Sequence, residues 1–501
     1  MHKYIIILSL LVGYIGLAGC DDMFNLYPQD ELLEKDFWQT KDDVESSVIN
    51  CYYHLRRCQD EMIIYGVSRS DLVRSSGFED LNNAKKGVFV SKYNICKWNR
   101  WYALIQAANL VIGNAERVLG QDPAYTTEVH NQLVGEAKFM RAFAYFNLIR
   151  MWKNVPVVDQ PSIHDSQDYL PQKSNNPDEV LNFIEDDLQF ATTHMVIAYD
   201  HELKEMSDLM NRARATRGAA WALYSDVHLW RNNYAECIEA CDQVLNSSLY
   251  ELVDGGNWFD LFHPQKGNTV EAIFELNYDD MYDFSKRQQA SRYGSTAMEQ
   301  WFTNRIYART DLTVMWPFPD VRYSTLMGTG GNRVRKHAGA DASGTNTVPQ
   351  TMNPNWIIYR LPHVMFNKME ALNRLEGDQA LSTINNMLLT IERRAGVNTF
   401  EPLSGGVVQV EEQIMYYKLK ELAFEGTRWF DLVRIGKRQW DENITGESNF
   451  LIREVLKAFN ESDKVFVRGN LNNPEAWYLP IHRDELLSNS NLTQNPYYKN
   501  I

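Results

Sequence analysis

Apolar residues recur at intervals of three and four through several long stretches of the chain, with alanine at many close-packing positions. In residues 132–152, QLVGEAKFMRAFAYFNLIRMW, the residues Leu133, Ala137, Met140, Ala144, Leu148 and Met151 form one stripe. That spacing predicts a helix that buries one face against a neighbour. Residues 215–252 carry a second such pattern, which breaks at Arg231-Asn232-Asn233 and resumes at Tyr234. A helix, a polar turn and a second helix are predicted, within about the 34-residue length of a tetratricopeptide unit. Residues 364–396 repeat the plan, with Glu376-Gly377-Asp378 as the turn and Gly396 as the stop. Stacked helical hairpins are the architecture these runs predict.

Elsewhere the pattern is irregular. Residues 155–180 contain Pro156, Pro161, Pro171 and Pro177 with few apolar residues between them, which predicts an extended connection. From about 278 to 358 aromatic residues mix with glycine and proline, and 327–350 reads as a long loop. EAIFELNY, residues 271–278, reads as a short strand beside it. The expected fold class is therefore mainly α, with helical hairpins on one side and a loop-rich face carrying short β elements on the other.

A chain of 501 residues with 44% hydrophobic content can bury a large core. Its 65 acidic against 50 basic residues leave a net charge of −15, which argues against a nucleic-acid partner. At the start, Lys3 precedes an apolar run from Tyr4 to Leu17, too short for a membrane span and suited to a secretory signal. Leu17-Ala18-Gly19-Cys20 resembles a bacterial lipobox, which makes Cys20 the expected lipidation site, residues 1–19 the signal peptide and a lipid (palmitate) the anchor. The acidic pair Asp21-Asp22 that follows leaves inner-membrane retention and surface export both open. The other five cysteines, Cys51, Cys58, Cys96, Cys237 and Cys241, are read as buried small hydrophobes.

FNLYPQDELLEKDFWQTKDDVESSVINCYYHL (24–55), EAKFMRAFAYFNLIRMWKNVPVV (136–158), ELAFEGTRWFDLVRIGK (421–437) and YLPIHRDELLSNSNLTQNPYY (478–498) together resemble the SusD/RagB family, with Ser490 and Tyr497 departing from the usual tail. The resemblance spans nearly the whole mature chain. It implies one SusD-like domain over 20–501: helical pairs over 20–260, a loop-rich ligand face over 261–360 and the C-terminal family part over 361–501. It also implies a lipid-anchored, surface-exposed protein of the outer membrane, acting as a nutrient-binding lid on a SusC-like TonB-dependent transporter, with an oligosaccharide as the usual cargo. A peptide or other nutrient as cargo is the alternative, as is a tetratricopeptide-like interaction scaffold.

Residues 421–437 also pose a catalytic question, because Glu425, Arg428, Asp431 and Arg434 recur at every third position. On one helix they would form a ladder of ion pairs. A glycosidase needs two carboxylates converging on one bond, whereas Glu425 and Asp431 would lie about 9 Å apart along the axis on different faces. A scaffold is the reading that fits. No phosphate-cradling glycine loop, HExxH or GxSxG motif is present. No enzyme activity, cofactor or metal is expected.

Sugars offer flat C–H faces and many hydroxyls, so a binding surface needs exposed rings beside polar side chains. SKYNICKWNRWYALIQAAN (91–109) supplies Trp98 with Asn94, Asn99 and Arg100 interleaved, while Trp101 and Tyr102 read as the first core turn of a helix. The loop-rich segment supplies Tyr282, Tyr293, Trp301 and Trp316, the last ahead of the stiff Pro317-Phe318-Pro319. Asp71 and Arg74 are candidate polar partners.

Overall fold

The computed structural model describes residues 37–161, 176–263, 266–278, 306–327, 333–337 and 354–499. Helix α1 (Lys41–Arg57) begins at Thr40, whose side chain accepts from the Asp43 amide while the Asp43 carboxylate accepts from the Thr40 amide at 2.8 Å. This reciprocal cap satisfies donors that the first turn leaves orphaned. A short strand β1 (Val73–Ser76) and helix α2 (Glu79–Lys85) lead to α3 (Asn99–Asn114) and α4 (Thr127–Trp152). Helix α5 (Pro177–His194) is capped by Asn176 and Glu179, with Pro177 at its first position.

The two predicted hairpins are present. Helices α6 (Arg217–Arg231) and α7 (Tyr234–Leu245) are separated at Asn232, which takes a left-handed conformation. Helices α8 (Leu361–Glu376) and α9 (Leu381–Arg394) are separated by Gly377, φ +57°. The polar break in each pattern is thus a helix stop followed by a reversal. Neighbouring helices pack in succession from α1 through α3, α4, α5, α6 and α7 to α8, which also contacts α9 and α10 (Val407–Leu422). Among the described residues a large apolar core runs from Trp38 to Tyr498, with a smaller separate cluster around Trp258 and Phe262.

Helix α4 departs from its expected single stripe. Every residue from Leu133 to Trp152 except Lys138 is buried, so the helix is surrounded rather than laid on a surface. Its charged residues tolerate this because they are paired: Glu136 accepts from Tyr52, Tyr199 and Arg214, and Arg141 holds Asp187 with two bonds of 2.7 and 2.8 Å.

On the other side, β2 (Ala272–Leu276) is the predicted strand and pairs antiparallel with β6 (Trp356–Arg360), buried on both faces. A four-stranded sheet in the order β1-β3-β5-β4 joins Ile306–Ala308 (β3), Arg333–Val334 (β5) and Leu326–Met327 (β4) to β1. The loop expected over 327–350 is therefore interrupted: Arg333–Val334 is a strand, and Lys336 and His337 are buried, because their polar atoms reach the carbonyls of residues 421–424. Residues 328–332 and 338–350 of that loop lie outside the described residues.

The stretch 421–437 is not one helix. Helix α10 ends at Leu422, the chain turns through Phe424 (φ +65°) and Gly426 (φ +88°), and α11 (Arg428–Asp441) begins. Gly426 packs backbone to backbone on Gly66, where a Cβ would lie 1.8 Å from the Gly426 carbonyl oxygen. No side chain fits there. Of the expected ladder only Asp431–Arg434 forms, at 2.9 Å. Glu425 turns instead to Arg360 and Lys336, and Arg428 to Asp71.

That turn is the hub of a buried ion network. Arg360, where β6 hands over to α8, donates to Glu271 and Glu421 at 2.6 Å and to both oxygens of Glu425 at 2.8 Å. Arg394 bridges Glu271 and Glu421, and Arg322 ties Glu421 to Asp320 and Glu392. Lys420 closes the ring on Glu392 at 2.7 Å. A second network joins Glu370 and Glu411 to Arg374, Arg434 and Arg438. Burial alone would raise the Glu425 carboxyl, but Arg360 and Lys336 overcome it and hold it at about 2. Glu370 is held at about 2 in the same way by Arg434 and Arg438.

The five described cysteines are all buried and none forms a disulfide. Burial pushes the Cys51 thiol up to about 12.

Replacing one member of a buried pair strands its partner's charge. Arg428→Ala leaves Asp71 uncompensated and is expected to lower the unfolding free energy by about 3–5 kcal/mol, read from urea denaturation. The double change Asp71→Asn with Arg428→Met should recover much of that loss, and no recovery would show that the pair is not the cause. Glu370 and Glu425 have native values below the ordinary 4.5, so the stability they contribute is present above that pH and drains as pH falls toward 2. The urea midpoint should fall across that window, with a shallower slope in Glu425→Gln.

Candidate functional site

Beyond α1 the chain continues as a short helix, Gln59–Ile63, and then widens into a single π-type turn, Ile64–Ser68. Such turns redirect side chains without ending the element. Here Tyr65 points inward and its hydroxyl donates to the Ile95 carbonyl, which fastens the loop before α3 onto this turn. Between them opens a cavity of about 270 Å³. Ile64, Tyr65 and Ile95 give it an apolar lining, and Asp60, Glu61, Asp80, Asn94, Lys97, Asn99 and Arg100 surround that with polar groups.

Arg100 is the central donor. One of its nitrogens donates to the Arg57 carbonyl at 2.9 Å, and its approaches to Asp60 and Glu61 are both 3.7 Å, too long for direct hydrogen bonds. Burial pushes Glu61 up to about 8, with Arg100 opposing the shift and Asp60 adding to it. Burial thus favours the protonated carboxyl, which can donate as well as accept.

The chain on either side of residues 279–305 is held to the same face. The Tyr278 hydroxyl donates to Gln59 and its ring lies under Arg56 at 4.7 Å, while Ile306 pairs with Ser76.

Two of the expected platforms are not platforms. Trp98 is 4% exposed, with its ring edge-on to Tyr102 and Trp152 at 5.5 and 5.8 Å. It precedes α3 and is drawn into the same aromatic cluster as the core turn behind it. Trp316 is 2% exposed and its indole donates to the Lys420 carbonyl at 3.0 Å. The stiff Pro317-Phe318-Pro319 segment does present a ring, but it is Phe318, 86% exposed, with Tyr323 edge-on to it.

Asp71 is likewise withdrawn from any ligand, being fully buried and held by Arg428 with two bonds of 2.8 Å. Arg74 is exposed. Tyr282, Tyr293, Trp301 and Cys20, the expected lipidation site, lie outside the described residues. Trp101 and Tyr102 do pack into the core as expected. Asn94, Lys97, Asn99 and Arg100 of 91–109 line the cavity together with Asp60, Glu61 and Asp80, which nothing in the sequence pattern singles out. Asp60 and Glu61 reach Arg100 because α1 packs on α3 and the helical path continues past Arg57, whose carbonyl Arg100 already holds.

Two families match the chain: one described as the SusD family over residues 256–498, and one described as "Starch-binding associating with outer membrane" over residues 48–229. Two SusD-like proteins of Formosa agariphila are each 24% identical, one covering 87% of this chain and 91% of its own length, the other 99% of both. Among solved structures, a SusD homologue from Bacteroides thetaiotaomicron aligns with a TM-score of 0.73 at 16% identity, over 92% of this chain and 98% of that one. A surface glycan-binding protein A from the same organism aligns at 0.69 and 17%, over 92% of this chain and all of that one. With two matches that together take in residues 48–229 and 256–498, the chain belongs to the SusD/RagB family.

Proposed function

We propose that this protein is a lipid-anchored, surface-exposed component of the outer membrane that binds an oligosaccharide and delivers it to a SusC-like TonB-dependent transporter. The observation that carries the reading is the cavity around Arg100, where carboxyl, amide and guanidinium groups surround the apolar surface of Tyr65, Ile64 and Ile95. That mixture matches the hydroxyls and C–H faces of a sugar ring. At about 270 Å³ the cavity falls near the low end of the roughly 300–1,000 Å³ usual for ligand sites, room for a single ring of a longer chain. Tyr282, Tyr293 and Trp301, outside the described residues, are kept as proposed ligand contacts on the ground of their ring chemistry. Membership of a family described as starch-binding and associating with the outer membrane supports both cargo and location. So does the fold shared with a surface glycan-binding protein.

Capture needs no bond-breaking. Glu425 and Asp431, the carboxylates of the catalytic question, are buried and spent on Arg360, Lys336, Lys418 and Arg434. A peptide is the second reading, favoured by the presence of both charge signs in the cavity, Asp60, Glu61 and Asp80 with Lys97 and Arg100.

A glycan array followed by calorimetry tests the assignment. Arg100→Ala should weaken the best saccharide by about tenfold or more, the loss of a charge-assisted hydrogen bond, with an unchanged melting temperature. Equal affinity would overturn the site, and silence on every glycan with binding to peptides would transfer the cargo to the second reading. Because Glu61 is protonated below about 8, saccharide affinity should hold steady at neutral pH and fall as pH rises through that value. Glu61→Gln should flatten the profile, and an identical profile in that variant would remove Glu61 from the site.

A further inference from the structure

Helix α2 separates the cavity around Arg100 from a second one. Asp80 lines the first, while Asn82, two residues on and so roughly 200° around the helix, lines the second together with Lys85. This second cavity, about 290 Å³, lies between Arg74 and Ser75 of β1, α2 with Lys86, and the turn Ala458–Asn460 that leads into helix α12 (Glu461–Leu471), which adds Asp463.

Its charge is unbalanced. Lys85 is 2% exposed, and its ammonium donates to the Arg74 carbonyl at 3.2 Å and lies 4.8 Å from the centre of the Phe459 ring. Both contacts are walls of the cavity, so the ammonium stands at its lining. No carboxylate among the described residues pairs with it. Asp71, the nearby acid, is committed to Arg428. Arg74 is exposed and its guanidinium has no partner among the described residues. Lys86 reaches Asp463 at 3.7 Å, which neutralises the one acidic wall. Asn82 is spent on the Ser76 amide and carbonyl and serves as a spacer.

A buried ammonium with one carbonyl acceptor pays for its desolvation poorly. The strain registers in Lys85, which burial pushes down to about 7, with Asp71 opposing and Arg309 and Arg74 adding to the shift. An oxyanion placed between Lys85 and Arg74 would meet two cations that have no carboxylate partner among the described residues.

We propose that this cavity is a subsite for an oxyanion borne on a saccharide, a uronate carboxylate or a sulfate ester, held by Lys85 and Arg74. The saccharide as carrier rests on the function proposed above; the anion site itself does not. Calorimetry on the mature chain with glucuronate, a sulfated galactose, inorganic sulfate and neutral glucose tests it. The acidic sugars should bind more tightly than glucose, and Lys85→Met and the exposed Arg74→Gln should each weaken the acidic sugars about tenfold or more, a charge-assisted bond lost. Neutral saccharides that use Arg100 should be unaffected by either change. Inorganic sulfate bound as tightly as the sugars would overturn the saccharide carrier. Failure of every anion to bind, or full retention in Arg74→Gln, would overturn the subsite while leaving the Arg100 cavity intact.

Discussion

The carboxylate of Glu421 meets three guanidinium groups, those of Arg322, Arg360 and Arg394, with no exposure to solvent. Burial would raise such a carboxyl, and these three cations, led by Arg394, hold it well below the usual range. Through its partners the contact joins the start of β2, the 320–322 turn, the end of β6, helix α9 and the end of α10. Buried ion pairs of this kind add little net stability over an apolar core of equal volume. Their effect is on arrangement. Any other register of these segments leaves a charge in the interior without a partner, so the loop-rich side can dock on the helices in only one way.

That docking positions the candidate site. The turn that supplies Glu425 also presses Gly426 onto Gly66, within the π-type turn that carries Tyr65. From Tyr65 the chain of contacts passes to Ile95 and so to the loop bearing Asn94, Lys97 and Asn99. On the other branch, Arg428 at the head of α11 holds Asp71, three residues before Arg74 and the second cavity. The stretch that invited a catalytic reading is therefore a clamp: its charges look inward and fix the backbone from which the outward-facing polar groups project.

Much of this was legible in the primary structure. The helices and their hairpin turns were, because a break at Asn232 or Gly377 interrupts a long apolar period at a residue that tolerates positive φ. β2 was legible from the β-like run EAIFELNY, residues 271–278. The orientation of single aromatic residues was not. Trp98 and Trp316 have polar or proline neighbours that look like a surface, yet each ring is taken inward by a partner far along the chain, Trp152 in one case and the Lys420 carbonyl in the other. Nor could i,i+3 spacing foretell that Glu425 lies outside a helix, since Gly426 breaks the period through a contact with Gly66, 360 residues away in the chain. Asp60 and Glu61 carried no signal at all without the packing of α1 on α3 that sets them beside Arg100.

If cargo binds on the loop side and the hairpins serve as framework, as proposed, hydrogen exchange with and without the best-binding saccharide separates the two most directly. Ligand should slow amide exchange in residues 59–66 and 94–100 and leave α6, α7, α8 and α9 unchanged. Slowing confined to those four helices, with the Tyr65–Arg100 region indifferent to ligand, would contradict the proposal.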